Sequence, residues 1–287
     1  MEWATTKAQV RAAVRARRAA GQRIALVPTM GYLHEGHLRL VDRARELADW
    51  VAMSIFVNPL QFGPGEDFAR YPRDLERDRA LAANRGVDFL FAPSVEEMYP
   101  GGAPWVAVVP EQGADVLCGA ARPGHFRGVL TVVAKLFHLF EPDVAVFGRK
   151  DFQQTVLVRR MVEDLDIPVR IEVVDTVRES DGLALSSRNV YLAPDERRRA
   201  TALPRALGYA RALFDAGETD PVTLAAAVRR VLAEAGLEPE YVAVVDPATL
   251  ELVRRARMGD VLAVAVRVGA ARLIDNTVFG VDDALPA

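Results

Sequence analysis

The segment IALVPTMGYLHEGHLRL (residues 24–40) joins an apolar run to an amphipathic pattern and contains two of the chain's four histidines. The run IALVP (residues 24–28) has the composition of a buried strand. Apolar residues at helical spacing follow from about residue 35 to residue 48, as in an amphipathic helix. His34 and His37 lie at the junction, where a spacing of three residues places both imidazoles on one side of the first helical turn.

The alternation of apolar runs and helical patterns extends on both sides of this segment to about residue 175. Further strands are predicted at residues 51–57, 87–93, 105–110, 143–148 and 169–174. Helices are predicted at residues 7–22, 67–84, 128–140 and 152–165. Strands that alternate with helices of ten or more residues indicate a Rossmann-type α/β fold with a doubly wound parallel sheet.

The pattern changes near Thr176. A polar, irregular stretch leads into two helical segments, one long segment from Pro194 to about Gly217 and another from Pro221 to about Ala235. Short strand candidates then follow at residues 241–246, 261–268 and 271–279. Helices followed by a group of strands are typical of an α+β domain. We therefore predict a larger domain at residues 1–176 and a second, smaller α+β domain at residues 177–287.

The composition is that of a globular protein without a strong charge. The 287 residues are 51% hydrophobic and 26% charged, and the formal net charge of −3 gives no general attraction to nucleic acid or anionic membranes. No apolar run approaches the length of about 18 residues that a membrane span needs. Cys118 is the only cysteine, which excludes a disulfide within the chain and fits a reducing compartment. We expect a cytoplasmic protein that binds neither nucleic acid nor a membrane.

Four polar segments follow predicted strands. They are PTMGYLHEGH, NPLQFG, GRKDFQQ and TVRESDGLALSSRN. In an open α/β sheet, ligands bind at the carboxyl ends of the strands, so these segments predict one site. His34 and His37 would donate hydrogen bonds to a phosphoryl group at a helix N-terminus, which favours anions. A metal site or two ordinary surface histidines are the alternatives, but the spacing is not that of a zinc-protease motif.

The other segments supply amides, hydroxyls and cations. Asn58 and Gln61 suit a small polar acid, although Asn-Pro is also a common turn sequence. Lys150 stands out because 33 of the 36 cationic residues are arginine, and the adjacent Asp151 suits either Lys150 or Mg²⁺. The alternative for this pair is a solvated ion pair at a helix start. Two serines and an arginine in the last segment, at 186–188, could close over a triphosphate.

Together these features predict a polyphosphate nucleotide beside a small polar acid. The chain has no G-x-x-x-x-G-K-[ST] loop, which argues against a kinase of that class. No G-x-G-x-x-G follows the first strand, which argues against hydride transfer. Nucleotidyl transfer fits better.

Six motifs, in order, resemble the pantothenate synthetase (pantoate–β-alanine ligase) family of nucleotidyltransferases, which have a His-x-Gly-His signature. The motifs are PTMGYLHEGH, FVNPLQF, YPRDLERD, RPGHFRGV, KDFQQ and LSSRN, and they cover residues 22–192. The resemblance implies that pantoate attacks ATP to give pantoyl adenylate and pyrophosphate, and that β-alanine then displaces AMP. It also implies Mg²⁺, a cytoplasmic homodimer and a lid role for the smaller domain.

The resemblance also implies roles for individual residues. His37 would be the proton donor and Gln61 and Gln154 the pantoate ligands, with Gln61 also near β-alanine. The catalytic group would include His34, His37, Lys150, Ser186, Ser187 and Arg188. The ATP site would comprise Met30, Gly31, Tyr32, Leu33, His34, Glu35, Gly36, His37, Gly148, Arg149, Lys150, Asp151, Val177, Leu185, Ser186, Ser187 and Arg188. The residues that hold Mg²⁺ are left unassigned.

Two positions depart from the family pattern. Arg149 stands where the family has glutamate, which reverses a charge beside Lys150, and Leu185 stands where methionine is common. A sister nucleotidyltransferase and a non-catalytic nucleotide-binding regulator remain alternatives. The two glutamines favour a ligase for a small hydroxy acid over both.

Overall fold

The computed structural model describes residues 1–281 and Leu285. The chain forms two compact units. The first comprises Met1–Gln112, Arg122–Arg149 and Leu157–Val174, and the second comprises Gly113–Ala121, Lys150–Val156 and Asp175–Ala287. The second unit therefore includes two short segments that precede the C-terminal part of the chain. The assignment of residues 1–176 and 177–287 to two functional domains stays a prediction.

The first unit contains a parallel six-stranded sheet with the order β1-β4-β3-β2-β5-β6. The strands are β1 (Glu2–Ala4), β2 (Ile24–Thr29), β3 (Trp50–Ile55), β4 (Phe89–Phe91), β5 (Val144–Gly148) and β6 (Arg170–Val174). The predicted parallel α/β sheet is confirmed. Strand order reverses between β2 and β5, and such a switch point is where open α/β sheets bind their ligands.

Helices α1 (Lys7–Ala19), α2 (Glu35–Leu47), α3 (Leu75–Asn84), α4 (Val95–Met98) and α6 (His125–Phe140) belong to this unit. Its central strands are buried on both faces, as in any sheet covered by helices on two sides. On one face, Val27 and Met53 join Val41 of α2 in a continuous core. The rings of Phe89 and Phe91 instead contact Phe140 of α6.

The second unit contains a three-stranded antiparallel sheet, β7 (Pro239–Val245), β8 (Val261–Val268) and β9 (Ala271–Val278). Its helices are α5 (Leu117–Ala121), α8 (Pro194–Ala200), α9 (Ala202–Asp215) and α10 (Pro221–Glu234). Leu203, Leu207, Leu224 and Val228 from α9 and α10 lie in one buried core with Leu262 of β8. Helix α7 (Phe152–Asp164) begins in this unit and ends in the first.

Three sequence-based elements are corrected. The predicted strand at 105–110 is irregular backbone, because Trp105 is fully exposed and no neighbouring strand pairs with it in the described residues. The predicted helix at 67–84 begins at Leu75, after a short 3-10 turn at Asp67–Ala69. The single helix predicted from Pro194 is two helices, α8 and α9.

None of the helices in the described part of the chain is long and apolar enough to cross a membrane.

Candidate active site

The loop between β2 and α2 has an unusual backbone. Gly31 and Tyr32 have φ values of +83° and +49°, both in the left-handed region that favours glycine. A Cβ atom on Gly31 would lie 2.8 Å from Cγ2 of Ile55, so glycine is needed here for space as well as for conformation. This strained turn brings the chain to the first turn of α2 within three residues.

Asp78 of α3 holds the strained loop. Its carboxylate accepts hydrogen bonds from the backbone amides of Tyr32 at 2.6 Å and Leu33 at 2.7 Å. Burial raises the pKa of Asp78 above its ordinary value, although the two amide bonds act in the opposite direction. The side chain of Leu33 is fully buried in the core, so Leu33 could face a ligand only through its backbone.

The two histidines lie together at the start of α2. Their ring centroids are 4.1 Å apart. Nδ1 of His37 accepts a hydrogen bond from the backbone amide of His34 at 3.3 Å, so a neutral His37 ring carries its proton on Nε2. The carboxylate of Glu35 is bound to Arg85 at 2.7 Å, so its charge is already paired within the protein. This helix N-terminus therefore combines a positive dipole end with imidazole donors.

Gln61 lies in the 3-10 turn Pro59–Gln61 that follows β3, and it is buried. Its Nε2 atom lies 3.0 Å from the sulfur of Met30, so the loops after β2 and β3 meet at this point. A thioether is a weak acceptor, and the amide of Gln61 therefore keeps much of its donor capacity for a ligand.

Asn58 serves the turn itself. Its Oδ1 accepts from the hydroxyl of Tyr99 at 2.9 Å and the amide of Leu60 at 3.3 Å. Its Nδ2 donates to the carbonyl of Gly128 at 3.0 Å and to Oε1 of Gln61 at 3.2 Å. Burial raises the pKa of Tyr99, which keeps the phenol protonated as a donor. Of the two readings of Asn58, the structure favours turn chemistry.

Strand β5 ends at Gly148, and Arg149–Asp151 form a 3-10 turn directly after it. Gly148, Arg149 and Lys150 are half-buried. Nζ of Lys150 lies 3.8 Å from the carboxylate of the more exposed Asp151, a loose ion pair. The backbone carbonyl of Lys150 accepts a hydrogen bond from Nδ2 of Asn276 in β9, at 3.0 Å.

The two neighbouring glutamines of α7 differ in environment. Gln153 is buried, and its amide bonds to the amide of Cys118 and to the carbonyls of Gly113 and Val116 at 2.8–2.9 Å. Gln154 is half-buried. Gln153 therefore holds the turn before α5, and Gln154 is the one with a face toward solvent.

The segment at residues 177–189 folds back on itself. The amide of Leu185 donates to the carbonyl of Val177 at 2.9 Å. Oγ of Ser186 accepts from the amide of Arg188 at 3.3 Å and caps the 3-10 turn Ser187–Tyr191. Ser187 is buried, whereas Ser186 and Arg188 are half-buried. The sequence thus places two hydroxyls and a guanidinium on one short turn.

Several residues that shape the site were missed in the sequence. Asp78 lies within the motif YPRDLERD, which predicts no role for it, and Asn276 lies in a predicted strand. Arg178 and Asp275 form a buried ion pair, 2.7 Å between Nη1 and Oδ2, that ties residue 178 to β9. The available signal was weak, because the predicted strand at 271–279 also contains Arg272 and Thr277, so Asp275 and Asn276 do not stand out as its polar residues.

Within residues 1–281 and Leu285, no three His, Cys, Asp or Glu side chains lie close enough to hold a metal ion.

Comparisons with known proteins agree on one family. Residues 2–278 match the family model described as pantoate-beta-alanine ligase. The pantothenate synthetase of Moorella thermoacetica is 57% identical over 289 residues, covering 99% of this chain and 100% of that protein. The pantothenate synthetase of Agrobacterium fabrum is 56% identical over 282 residues, covering 98% of this chain and 96% of that protein.

Two solved structures are similar over almost the whole chain. The pantothenate synthetase of Thermus thermophilus has 50% identity and a TM-score of 0.89, covering 97% of this chain and 99% of that one. The pantoate-beta-alanine ligase of Francisella tularensis, complexed with beta-gamma ATP and beta-alanine, has 32% identity and a TM-score of 0.82. That match covers 99% of this chain and 100% of the other.

Proposed function

This chain belongs to the pantoate–β-alanine ligase family, and we propose the following roles for its residues in the family's reaction. The protein is an ATP-dependent ligase that joins pantoate to β-alanine to give pantothenate, AMP and pyrophosphate. The family assignment sets aside a sister nucleotidyltransferase and a non-catalytic regulator.

The reaction proceeds in two displacements. A carboxylate oxygen of pantoate attacks the α-phosphorus of ATP, an O–P bond forms, and the bond to pyrophosphate breaks. The amine of β-alanine then attacks the carbonyl carbon of the adenylate, an amide forms, and AMP leaves as the nitrogen loses its proton. Negative charge develops on phosphate oxygens in the first displacement, so donors aimed at them stabilise its transition state.

His37 is the central donor. The observation that carries the proposal is the hydrogen bond from the amide of His34 to Nδ1 of His37, because it places the proton on Nε2. At the N-terminus of α2, that proton can be donated to a phosphoryl oxygen. The ring of His34, whose centroid lies 4.1 Å from that of His37, supports the same anion, and the backbone of residues 30–37 completes this part of the ATP site.

Gln61 and Gln154 bind pantoate. Gln61 is buried, and its Oε1 accepts a hydrogen bond from Nδ2 of Asn58 at 3.2 Å. Its Nε2 contacts the sulfur of Met30, a weak acceptor, so a substrate oxygen would be a better partner for that donor. Gln61 also contacts β-alanine, which must approach the carboxyl carbon of the same substrate. A neutral amide orients a hydroxy acid without changing the net charge of the site.

Cationic and hydroxyl groups bind the polyphosphate. Lys150 and Arg188 balance the charge of the departing pyrophosphate, and Ser186 and Ser187 donate from the same turn as Arg188. The walls of the ATP site are formed by Gly148, Arg149, Asp151, Val177 and Leu185. Arg149 adds a positive charge where the family has glutamate.

Mg²⁺ fits this donor set as an ion that arrives with the nucleotide. Mg²⁺ is usually held by one or two carboxylates together with phosphates and water, and Asp151 beside Lys150 supplies one such carboxylate. When bound, the ion neutralises phosphate charge. Asp151 would then hold the metal–ATP complex while Lys150 contacts its phosphates.

The same proposal covers domains and assembly. Residues 1–176 bind nucleotide and pantoate, and residues 177–287 act as a lid that keeps water from the adenylate. We propose a cytoplasmic homodimer that binds no nucleic acid. Support for self-association comes from the segment at 105–110, where Trp105, Val106 and Val109 are exposed apolar residues.

Pyrophosphate release tests the reaction order. With ATP, Mg²⁺ and pantoate but without β-alanine, we expect a burst of pyrophosphate stoichiometric with the protein. Addition of β-alanine should then restore turnover and release AMP. Pyrophosphate release that needs no pantoate, or that needs β-alanine before the first turnover, would contradict the proposal.

A further inference from the structure

The motif RPGHFRGV at residues 122–129 has no role in the reaction described above, yet it contacts Gln61 directly. Nδ1 of His125 lies 2.8 Å from the backbone carbonyl of Gln61, and Nη2 of Arg122 donates to the same oxygen at 3.1 Å. A carbonyl oxygen only accepts, so Nδ1 of His125 carries the proton of this bond.

The two donors are themselves fixed. Glu66 accepts from Nη2 of Arg122 at 2.6 Å and from Nε at 2.8 Å, a bidentate ion pair that is mostly buried. Burial tends to raise the pKa of Glu66, but the bonds and charge of Arg122 outweigh it and lower that pKa overall. Nη1 of Arg122 lies 3.0 Å from Nε2 of His125, which must then accept the bond. Both ring contacts of His125 thus require the same neutral tautomer.

The backbone before Gln61 is pressed against the start of α6. A Cβ atom on Gly128 would lie 2.2 Å from the carbonyl oxygen of Leu60, a distance that no side chain could tolerate. The carbonyl of Gly128 also accepts from Nδ2 of Asn58. The turn that carries Gln61 is therefore held at both ends by the first turns of one helix.

We propose that Arg122 and His125 are positioning residues for the acid substrate, acting through Gln61. The proposal rests on the assignment of Gln61 to pantoate and extends it. Two donors on one carbonyl fix the peptide plane of Gln61 and so the point from which its side chain starts. Nδ2 of Asn58 then holds the side-chain oxygen of Gln61 at 3.2 Å, so the backbone and the side chain are both oriented. Glu66 fixes Arg122 in turn. The carboxylate of Glu66, which follows Gln61 in the same loop, therefore contributes to the affinity for pantoate without contacting it.

Substitutions of His125 separate this role from general stability. Asparagine can place an amide donor near the position of Nδ1, whereas glutamine reaches toward the position of Nε2. We expect His125→Gln and His125→Ala to raise KM for pantoate by about tenfold and to change KM for ATP by less than about twofold. His125→Asn should stay close to the wild type. Equal effects of Asn and Gln, or an equal rise in KM for ATP, would overturn the proposal.

A double-mutant cycle separates the two assignments. If His125 acts through Gln61, His125→Gln should add little to the rise in pantoate KM already caused by Gln61→Ala. Additive effects would show that His125 acts by another route. If Gln61→Ala alone leaves pantoate KM unchanged, the proposed role of Gln61 fails first. Thermal unfolding of each variant identifies any loss of fold, and Arg122→Lys, which keeps the charge but loses the bidentate pair, gives a second measurement of the same effect.

Discussion

The backbone amide of His34 donates a hydrogen bond to Nδ1 of His37 at 3.3 Å. His34 therefore sets the tautomer of the neutral imidazole three residues later. The sequence places both rings on one side of a helix start, but only the structure shows that one ring is oriented by the main chain beside the other. The proton of His37 is thereby directed away from its own backbone.

His37→Ala should lower the rate of adenylation by more than an order of magnitude, because it removes a donor that acts as charge develops. His37→Gln, which can carry a donor near the position of Nε2, should retain more activity than His37→Asn. His138→Ala is the matched control, since His138 is an exposed histidine of α6 whose Nδ1 bonds to the carbonyl of Ala134. Single-turnover pyrophosphate release measures the effect. A wild-type rate in a folded His37→Ala protein would exclude the assignment.

Gln154→Ala and Gln153→Ala should separate binding from stability. Gln154→Ala is expected to weaken pantoate binding and to leave the melting temperature nearly unchanged. Gln153→Ala removes three hydrogen bonds at the turn before α5 and should lower the free energy of unfolding by ~1–3 kcal/mol. Calorimetric titration with pantoate and thermal unfolding of both proteins test this pair. Weaker pantoate binding by Gln153→Ala together with a loss of stability in Gln154→Ala would contradict both assignments.

Asp78→Asn should slow adenylation by about tenfold, because asparagine replaces one of the two accepting oxygens with an NH₂ donor, which cannot accept from the amide that this oxygen now holds. The loss of stability should be smaller than the loss of a buried hydrogen bond alone would cause, since the substitution also removes the charge of a buried carboxylate whose pKa is already raised. Asp74→Asn is the control on the same helix: Asp74 caps α3, and asparagine caps equally well. Equal adenylation rates for Asp78→Asn and Asp74→Asn would show that Asp78 has no role in the site.

The segment at residues 180–189 should exchange its amide hydrogens more slowly when ATP and pantoate are bound, because its serines and Arg188 would then contact phosphates. Arg188→Ala should slow adenylation in a folded protein. Arg198→Ala should not, because Arg198 lies on α8, is highly exposed and pairs with nearby Asp195. Equal protection with and without substrates would indicate a preformed segment and contradict the lid proposal.

The carboxylate of Asp143 should contribute stability that is lost in acid. It accepts from the amide of Ile24 at 2.7 Å and from Arg18 at 2.9 Å. Burial opposes these bonds, but they lower the pKa of Asp143 below its ordinary value of 3.8. Its stabilising effect is therefore present above that value and declines as the pH falls through the folded-state pKa.

Urea unfolding between about pH 5 and pH 3 should show a smaller fall of the free energy of unfolding for Asp143→Asn than for the wild type. Asparagine can still accept the bond from Ile24, so the difference isolates the charge. Identical slopes would show that the carboxylate keeps an ordinary pKa.

Long apolar patterns were enough to predict most of the fold. The bounds of strand β2 and of the strand at residues 261–268 were predicted to within one residue. A strand that is buried on both faces is a continuous apolar run, whichever elements pack against it. The segment at 105–110 has the same texture but is irregular, and nothing in its own residues shows that Trp105 is exposed. Strand β1 was missed because three residues become a strand only by pairing with β4, far along the chain.

Candidate site residues could be proposed from the sequence where chemistry is concentrated in one segment, as at His34, His37 and Lys150, and their roles stay a prediction. Supporting residues were missed where they act across the fold. Asp78 holds an amide 45 residues earlier in the chain, and Asn276 holds a carbonyl 126 residues earlier. A sequence read alone has no measure of such distances, so supporting residues look like ordinary polar positions on helices and strands.

The two short segments that precede the rest of the second unit have a consequence for synthesis on the ribosome. Residues 113–121 and 150–156 are made before residues 175–281, with which they are compactly associated. At 5–20 residues per second, the interval from residue 113 to β9 lasts roughly ten to thirty seconds. During that interval the antiparallel sheet of the second unit is incomplete, so Gln153 and the turn before α5 cannot yet pack into a finished unit. The second unit can therefore be completed only after its last strand has been synthesised.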